Sequence, residues 1–331
     1  MAYTTIDDPS AYFQTKTYTG NGSTQDITFD GNSNLQPDWL WLKGRSLAEG
    51  HTLQNSVTGV TKHLHTNNTD AQVTDTGIVT AFNSDGFSLG DEGDVNGNSS
   101  TFVGWGWKKQ AGLFDIVTYT GNGSNRTISH NLGVAPTMMI IKNIESGGTN
   151  WFVYHVGIGN AAKYVKLNQT NAESTKASLF NSTAPTSSVF SLGTDNDGNE
   201  SGQDFIAYLF GNTQGVSNCG SYVGNGNSDG TFIFTGFKPA FVMTKRTDSA
   251  DWWGMFDNKR ILYNGTYSPY PLFANTSDAE VTDSKLIDLI SNGFKIKSSN
   301  GAINASGGSY IFMAFAENPF VASSFAATTA R

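Results

Sequence analysis

Read for polarity alone, the chain sets short apolar runs between Gly-, Asn- and Ser-rich breaks. Thr231-Phe232-Ile233-Phe234-Thr235 and Gly86-Phe87-Ser88-Leu89 alternate with a period of two, the pattern of a strand with one buried face. Trp39-Leu40-Trp41-Leu42, Met138-Met139-Ile140-Ile141 and Phe241-Val242-Met243 are apolar at every position, which predicts central strands covered on both faces. Gly20-Asn21-Gly22, lying between Lys16-Thr17-Tyr18 and Asp26-Ile27-Thr28-Phe29, reads as a hairpin, because Asn-Gly tolerates the positive φ of a tight turn. The best candidate helix is Asp283–Gly293, with an Asp cap and a stopping Gly,.

The same phrases return along the chain. Thr17-Tyr18-Thr19-Gly20-Asn21-Gly22-Ser23 recurs as Thr118-Tyr119-Thr120-Gly121-Asn122-Gly123-Ser124 and as Ser221-Tyr222-Val223-Gly224-Asn225-Gly226-Asn227. Each is followed by a proline and an apolar run ending in a basic residue: Pro37 to Lys43, Pro136 to Lys142, Pro239 to Lys245. Ser84–Gly90, Ser187–Gly193 and Ser291–Lys297 form a third landmark. The aromatic runs Phe102–Trp107, Phe205–Phe210 and Tyr310–Phe315 form a fourth. Four landmarks in one order predict tandem units of about 100 residues, with boundaries at 1–112, 113–215 and 216–331. The expected fold is all-β: three tandem β-sandwiches of jelly-roll or Ig-like type.

Composition agrees with strands and tight turns. There are 37 Gly and only 8 Pro, 12% aromatic and 15% charged residues, too few helix formers for long amphipathic helices. The net charge of −8 argues against a partner bound through phosphates, so no nucleic acid is expected. The longest apolar stretches, such as Ile311–Ala316, fall far short of the roughly 20 residues of a membrane helix, and no membrane insertion is expected. The polar, acidic start Met1–Asp8 is unlike a signal peptide. Cys219 is the single cysteine and makes no internal disulfide. Charge is graded: residues 1–112 carry 6 basic and 12 acidic side chains, 113–215 carry 5 and 7, and 216–331 carry 9 and 9.

The candidate chemistry is sparse. His63 and His65 share a strand face near His51. With no further ligand in view, they read as a polar face rather than a metal site. Asp91–Asn98 and Asp195–Glu200 carry oxygens that suit calcium, yet they also suit a solvated hairpin loop, and the loop is the plainer reading. No nucleophile elbow, phosphate loop or zinc-protease helix is present, and no catalytic residue, cofactor or metal is assigned. Aligning Lys62 with Lys259 and Asn67 with Asn275 leaves an insertion of eleven residues in the third unit. Its Tyr263, Tyr267, Tyr270 and Phe273, stiffened by Pro269 and Pro271, are candidates for stacking on a glycan or packing on a partner. Ala-, Ser- and Thr-rich residues 321–331 read as a tail ordered by a neighbour.

Pro37-Asp38-Trp39-Leu40-Trp41-Leu42-Lys43, Thr61-Lys62 followed by Asn67-Asn68-Thr69-Asp70-Ala71, Ser84–Gly90 and Trp105-Gly106-Trp107-Lys108 resemble a repeat domain of structural proteins from marine tailed phages, cyanophages above all. His130–Pro136, Gly148–Trp151 and Met313–Phe320 are similar to the same family, so the resemblance spans about Thr17 to Phe320. It implies a non-enzymatic virion component. A tail fibre or other surface fibre is expected, assembling with itself, as a homotrimer, and with other virion proteins. A glycan-binding adhesin that touches the host, or a capsid decoration protein, is the alternative.

Overall fold

The computed structural model describes residues 4, 6–260, 270–282 and 285–319. Among them the chain is strand and loop, with helix only as isolated single turns. The first segment contains β1 (Phe13–Thr19), β2 (Gln25–Ile27), β3 (Trp39–Gly44), β4 (Thr52–Asn55), β5 (Gly59–His65), β6 (Val73–Thr74), β7 (Val79–Asn83), β8 (Gly86–Leu89), α1 (Gly93–Asn96) and β9 (Thr101–Trp107). The second contains β10 (Phe114–Thr120), β11 (Arg126–Ser129), β12 (Met138–Asn143), β13 (Phe152–His155), β14 (Lys163–Lys166), β15 (Ser174–Thr175), β16 (Val189–Leu192), α2 (Asn196–Asn199) and β17 (Asp204–Phe210). The third contains β18 (Ser217–Val223), β19 (Phe232–Phe234), β20 (Phe237–Arg246), β21 (Trp253–Asp257), β22 (Leu272–Phe273), β23 (Ile287–Ile290), β24 (Gly293–Ile296), α3 (Gly301–Asn304) and β25 (Ser309–Pro319).

Three large antiparallel sheets result, ordered β1-β9-β3-β4-β5-β6, β10-β17-β12-β13-β14-β15 and β18-β25-β20-β21-β22. A small sheet accompanies each: β2-β8-β7, β11-β16 and β19-β24-β23. One face of each large sheet packs with its own small sheet around a local core, as Leu40 and Leu42 do with Ile27, Phe87 and Leu89. The opposite faces of all three meet in one shared core. Trp39, Trp41, Trp105 and Trp107 of the first segment pack there with Met138, Ile140 and Tyr208 of the second and Phe241, Met243 and Phe315 of the third.

This two-sided burial is why the strands after the prolines are apolar throughout, since alternate side chains face different cores. The run Gly104-Trp105-Gly106-Trp107 obeys the same rule. Its tryptophans fill the shared core, while a Cβ on Gly106 would stand 2.5 Å from the Phe29 ring. Each fully buried large apolar side chain contributes roughly 1.5–3 kcal/mol, and the shared core holds six buried tryptophans.

Gly20-Asn21-Gly22 does not make the expected hairpin. β1 pairs with β9 and β2 with β8, so the phrase carries the chain from one sheet to the other. It is held by Asn96 of α1: Oδ1 accepts from the Asn21 amide at 3.1 Å, and Nδ2 donates to the carbonyls of Ser23 and Gly90. Asn199 does the same for Asn122, Ser124 and Gly193. Asn304 does it for Asn225, Asn227 and Ser298. The glycine is required because a Cβ on Gly20 would lie 2.3 Å from the Gly97 carbonyl oxygen. The acidic segments Asp91–Asn98 and Asp195–Glu200, read as hairpin loops, are instead the single helical turns that present these asparagines.

The helix expected over Asp283–Gly293 is also replaced. Ile287–Ile290 forms β23, joined to β24 by a tight turn. Leu286, Ile287, Leu289 and Ile290 fit a helical stripe and a strand almost equally. Pairing that buries Ile287 and Leu289 beside Phe294 and Ile296 decides for the strand,. Asp283 and Ser284 lie outside the described residues.

Candidate functional site

The three segments meet at seams built from the same positions. The lysine that ends each post-proline strand is buried, and its Nζ reaches a carbonyl of another segment: Lys43 to Ser277 at 3.2 Å, Lys142 to Thr69 at 3.2 Å, Lys245 to Thr170 at 3.1 Å. A ring N–H at the start of the fourth strand makes a second link. Trp151 Nε1 donates to the His65 carbonyl and Trp253 Nε1 to that of Lys166, while His51 Nε2 bonds that of Phe273. Backbone amides of Gln72, Glu173 and Glu280 make a third, to Ile144, Thr247 and Arg45. In each set the links join first to second, second to third, and third to first, so they close a ring.

His51 thus stands where the other segments carry tryptophan. Its Nδ1 accepts from Trp41 Nε1 at 2.7 Å, which leaves the proton on Nε2 for the Phe273 carbonyl. Burial holds this imidazole well below its usual pKa, so it stays neutral. His65 Nδ1 donates to the His51 carbonyl. His63 lies edge-on to His65 at 4.9 Å between ring centres and is held down to about 4 by burial and then by His65. The three histidines are therefore parts of the sheet and the seam. Among the described residues no three His, Cys, Asp or Glu side chains converge as metal ligands.

The third-to-first seam alone carries a buried charge cluster among the equivalent seam positions. Asp257 accepts from Trp105 Nε1 at 3.1 Å and from Arg260 Nε at 2.6 Å. Arg260 also reaches Glu280 at 3.1 Å, and Glu280 reaches Arg45 at 2.9 Å. The positions matching Asp257 are Asn55, 3.5 Å from the Tyr208 hydroxyl, and His155, bonded to the Phe312 carbonyl at 3.0 Å.

Of the candidate contact residues, Tyr263 and Tyr267 lie outside the described residues, as do Asn264, Pro269 and the 321–331 tail. Tyr270 and Phe273 are half-buried. The Phe273 ring packs 4.6 Å from Trp252, and its carbonyl serves the seam, so its role in the described structure is within the chain. Cys219 is buried, with its thiol pushed up to about 12 by burial.

A different surface stands out. On the small sheet of the third segment, Phe232 and Phe234 are 44% and 58% exposed, and Val223, at the end of β18 in the large sheet, is 59% exposed. The register places Phe232 beside Lys295 and then Asp288, and Phe234 beside Gly293 and then Ile290. At the matching places the first segment has Asp26, Thr28 and Thr19, and the second has Thr127, Ser129 and Thr120. The signal was in the sequence: Phe232-Ile233-Phe234 is apolar at all three positions, although a strand covered on one face needs only Ile233. Exposed apolar side chains grouped on one face mark interaction sites.

Residues 8–319 match the family described as Domain of unknown function (DUF7483), and the chain belongs to it. No curated protein matches the chain.

Proposed function

From a family without an assigned activity, we propose that this chain is a non-enzymatic structural component of a phage virion, a tail fibre or other surface fibre. It acts in the particle by assembling with itself and with other virion proteins. The observation that carries the reading is the outward apolar face of the third small sheet, at positions polar in the other two. The closed ring of seam links supports it by making three sheets one body, as a part that transmits force requires. So does the employment of buried Lys43, Lys142, Lys245, His51 and His155 in bonds to carbonyls. The resemblance to phage structural repeats supplies the setting.

Three sheets already pack around one core within a single chain, so the proposed homotrimer of chains needs another face. Self-assembly would therefore run through Phe232 and Phe234. The test is immunogold labelling of intact particles, together with light scattering of the purified chain. Labelled particles and concentration-dependent association, lost in Phe232→Asp/Phe234→Ser, are expected. Unlabelled particles overturn the virion reading, and a monodisperse monomer at high concentration overturns the self-assembly.

A further inference from the structure

Between the first and third segments lies a cleft of about 210 Å³, lined by Phe13, Thr15 and Asp30 on one side and by Ala240, Asn258 and Glu317 on the other. Its mouth carries Asp30 and Lys259, 2.9 Å apart and both exposed. The corresponding positions at the other two seams carry different residues and contacts. At the first-to-second seam, Ile116 stands for Thr15, and Lys109 crosses to Asp115 at 3.5 Å. At the second-to-third seam, Cys219 stands for Thr15. Its backbone is clamped by the Asn212 amide, and the 3-10 turn Val156–Ile158 lies against β18.

Among the described residues, Thr15 Oγ1, on a residue only 3% exposed, and Asn258 Oδ1 have no hydrogen-bond partner at the open seam. A buried polar atom without a partner costs roughly 1–3 kcal/mol. Asn258 Oδ1 can only accept, as can the carboxylates of Asp30 and Glu317. What enters must therefore bring several donors, more than the few P–OH groups of phosphate and unlike sulfate, which has none. The carboxylates already have cations, Asp30 with Lys16 and Lys259, and Glu317 with Lys238, so a neutral donor is favoured over a cation. Although burial raises it, the Asp30 carboxyl is held below its usual pKa by hydrogen bonds from Lys259 and Lys16 and remains an acceptor. Phe13, Ala240 and Ala316 add an apolar wall. The volume lies below the roughly 300–1,000 Å³ of sites that enclose drug-sized ligands, so it suits one ring.

We propose that this cleft binds a single neutral, hydroxyl-rich sugar ring, with Thr15 and Asn258 as its buried anchors and Asp30 and Glu317 accepting from its outer hydroxyls. The inference does not rest on the virion reading. Its test is saturation-transfer NMR and calorimetry on the intact chain with a panel of neutral monosaccharides, and with inorganic phosphate and calcium as separate probes. Binding of at least one sugar in the millimolar range is expected. Thr15→Val and Asn258→Ala should each weaken it roughly three- to ten-fold, the worth of one hydrogen bond. Thr15→Val should leave the melting temperature unchanged or raise it, because it removes an unpaired hydroxyl. Phe232→Asp/Phe234→Ser should bind sugar normally, which separates this site from the assembly face. The proposal is overturned by silence across the sugar panel, by undiminished binding in the Thr15→Val/Asn258→Ala double variant, or by phosphate or calcium binding in place of sugar.

Discussion

Two seams of this molecule are spanned by a peptide and one is not, and the third-to-first seam differs from its equivalents accordingly. Where the chain runs on from β9 to β10 and from β17 to β18, the last position of β4 or β13 is neutral, Asn55 or His155, and makes one polar contact across the seam. Where the first and third segments meet without a peptide, that position is Asp257, joined to Arg260, Glu280, Arg45 and Trp105. A linker keeps its two segments at high effective concentration, so weak contacts suffice. The unlinked seam has no such help, and the charge cluster compensates through several short bonds in a dry setting, with the Arg260 guanidinium 5.8 Å from the centre of the Trp105 ring.

The sharpest way to break this comparison is Asp257→Ala. Removing one partner of a buried ion pair leaves the other uncompensated and costs about 3–5 kcal/mol. Asn55→Ala should cost less, about 1–3 kcal/mol, because it frees the Val57 and Thr58 amides held by Oδ1 but strands no charge, and its bond across the seam to Tyr208 is long,. Equal losses in urea denaturation would show that the unlinked seam carries no special burden.

The lysine ring should behave differently, with the three seams alike. Lys43→Met, Lys142→Met and Lys245→Met each strip buried carbonyls of a donor, at about 1–3 kcal/mol, and the three values should agree within experimental spread. Burial first of all holds each of these amines down to about 8. A folded pKa below the unfolded one means that the unfolded chain binds more protons between about pH 8 and the ordinary lysine value. Stability from these groups therefore rises with pH across that window and falls on returning to pH 8. Urea midpoints compared across the window should climb more for the native chain than for the triple Met variant.

At two seams a ring that bonds a carbonyl across the seam is a histidine open to acid, and at the first-to-second one it is not. His155 is held down to about 4 by burial, and His51 is also lowered, whereas the group matching His51 at the first-to-second seam is Trp151. The unfolded chain takes up these protons below about pH 6.5 and the folded chain does not. Stability is thus full above that value and drains away as pH falls toward 4. Thermal melts should show this slope, and His155→Gln should make it shallower, with His51, His63 and His130 supplying the rest.

How much of this was legible in the sequence follows from distance along the chain. The all-apolar runs at Trp39–Leu42 and Met138–Ile141 announced strands with two buried faces, because that burial is a local property of the run. The recurring lysines were visible as residues, but their partners were not, since Lys43 bonds a carbonyl 234 positions away. Gly20-Asn21-Gly22 misled because Asn-Gly satisfies the same backbone demands in a sheet-to-sheet crossing as in a hairpin, and only the distant Asn96 tells them apart. Phe232 and Phe234 were read as part of an alternating strand, although their apolarity exceeded what the strand required. Thr15 and Asn258 carry no signal of their own, being ordinary polar residues until the fold sets them across one cleft.

The smallest expected effect tests the linked side of the comparison. Lys109 lies in the peptide between the first and second segments and pairs with Asp115 at 3.5 Å, with its own side chain 37% exposed. Asp115 is buried but already accepts from the Ile116 and Asn131 amides, so a long pair to the solvent-facing lysine adds about 0–1 kcal/mol and is screened by salt. The Lys109 backbone amide, moreover, is independently fixed to Asp38 at 2.8 Å. If the peptide holds this seam, Lys109→Ala should lower the urea midpoint slightly at low ionic strength and not at all in high salt. A loss approaching that of Asp257→Ala would mean that the linked seam also depends on its charges, and the contrast between linked and unlinked seams would then have to be abandoned.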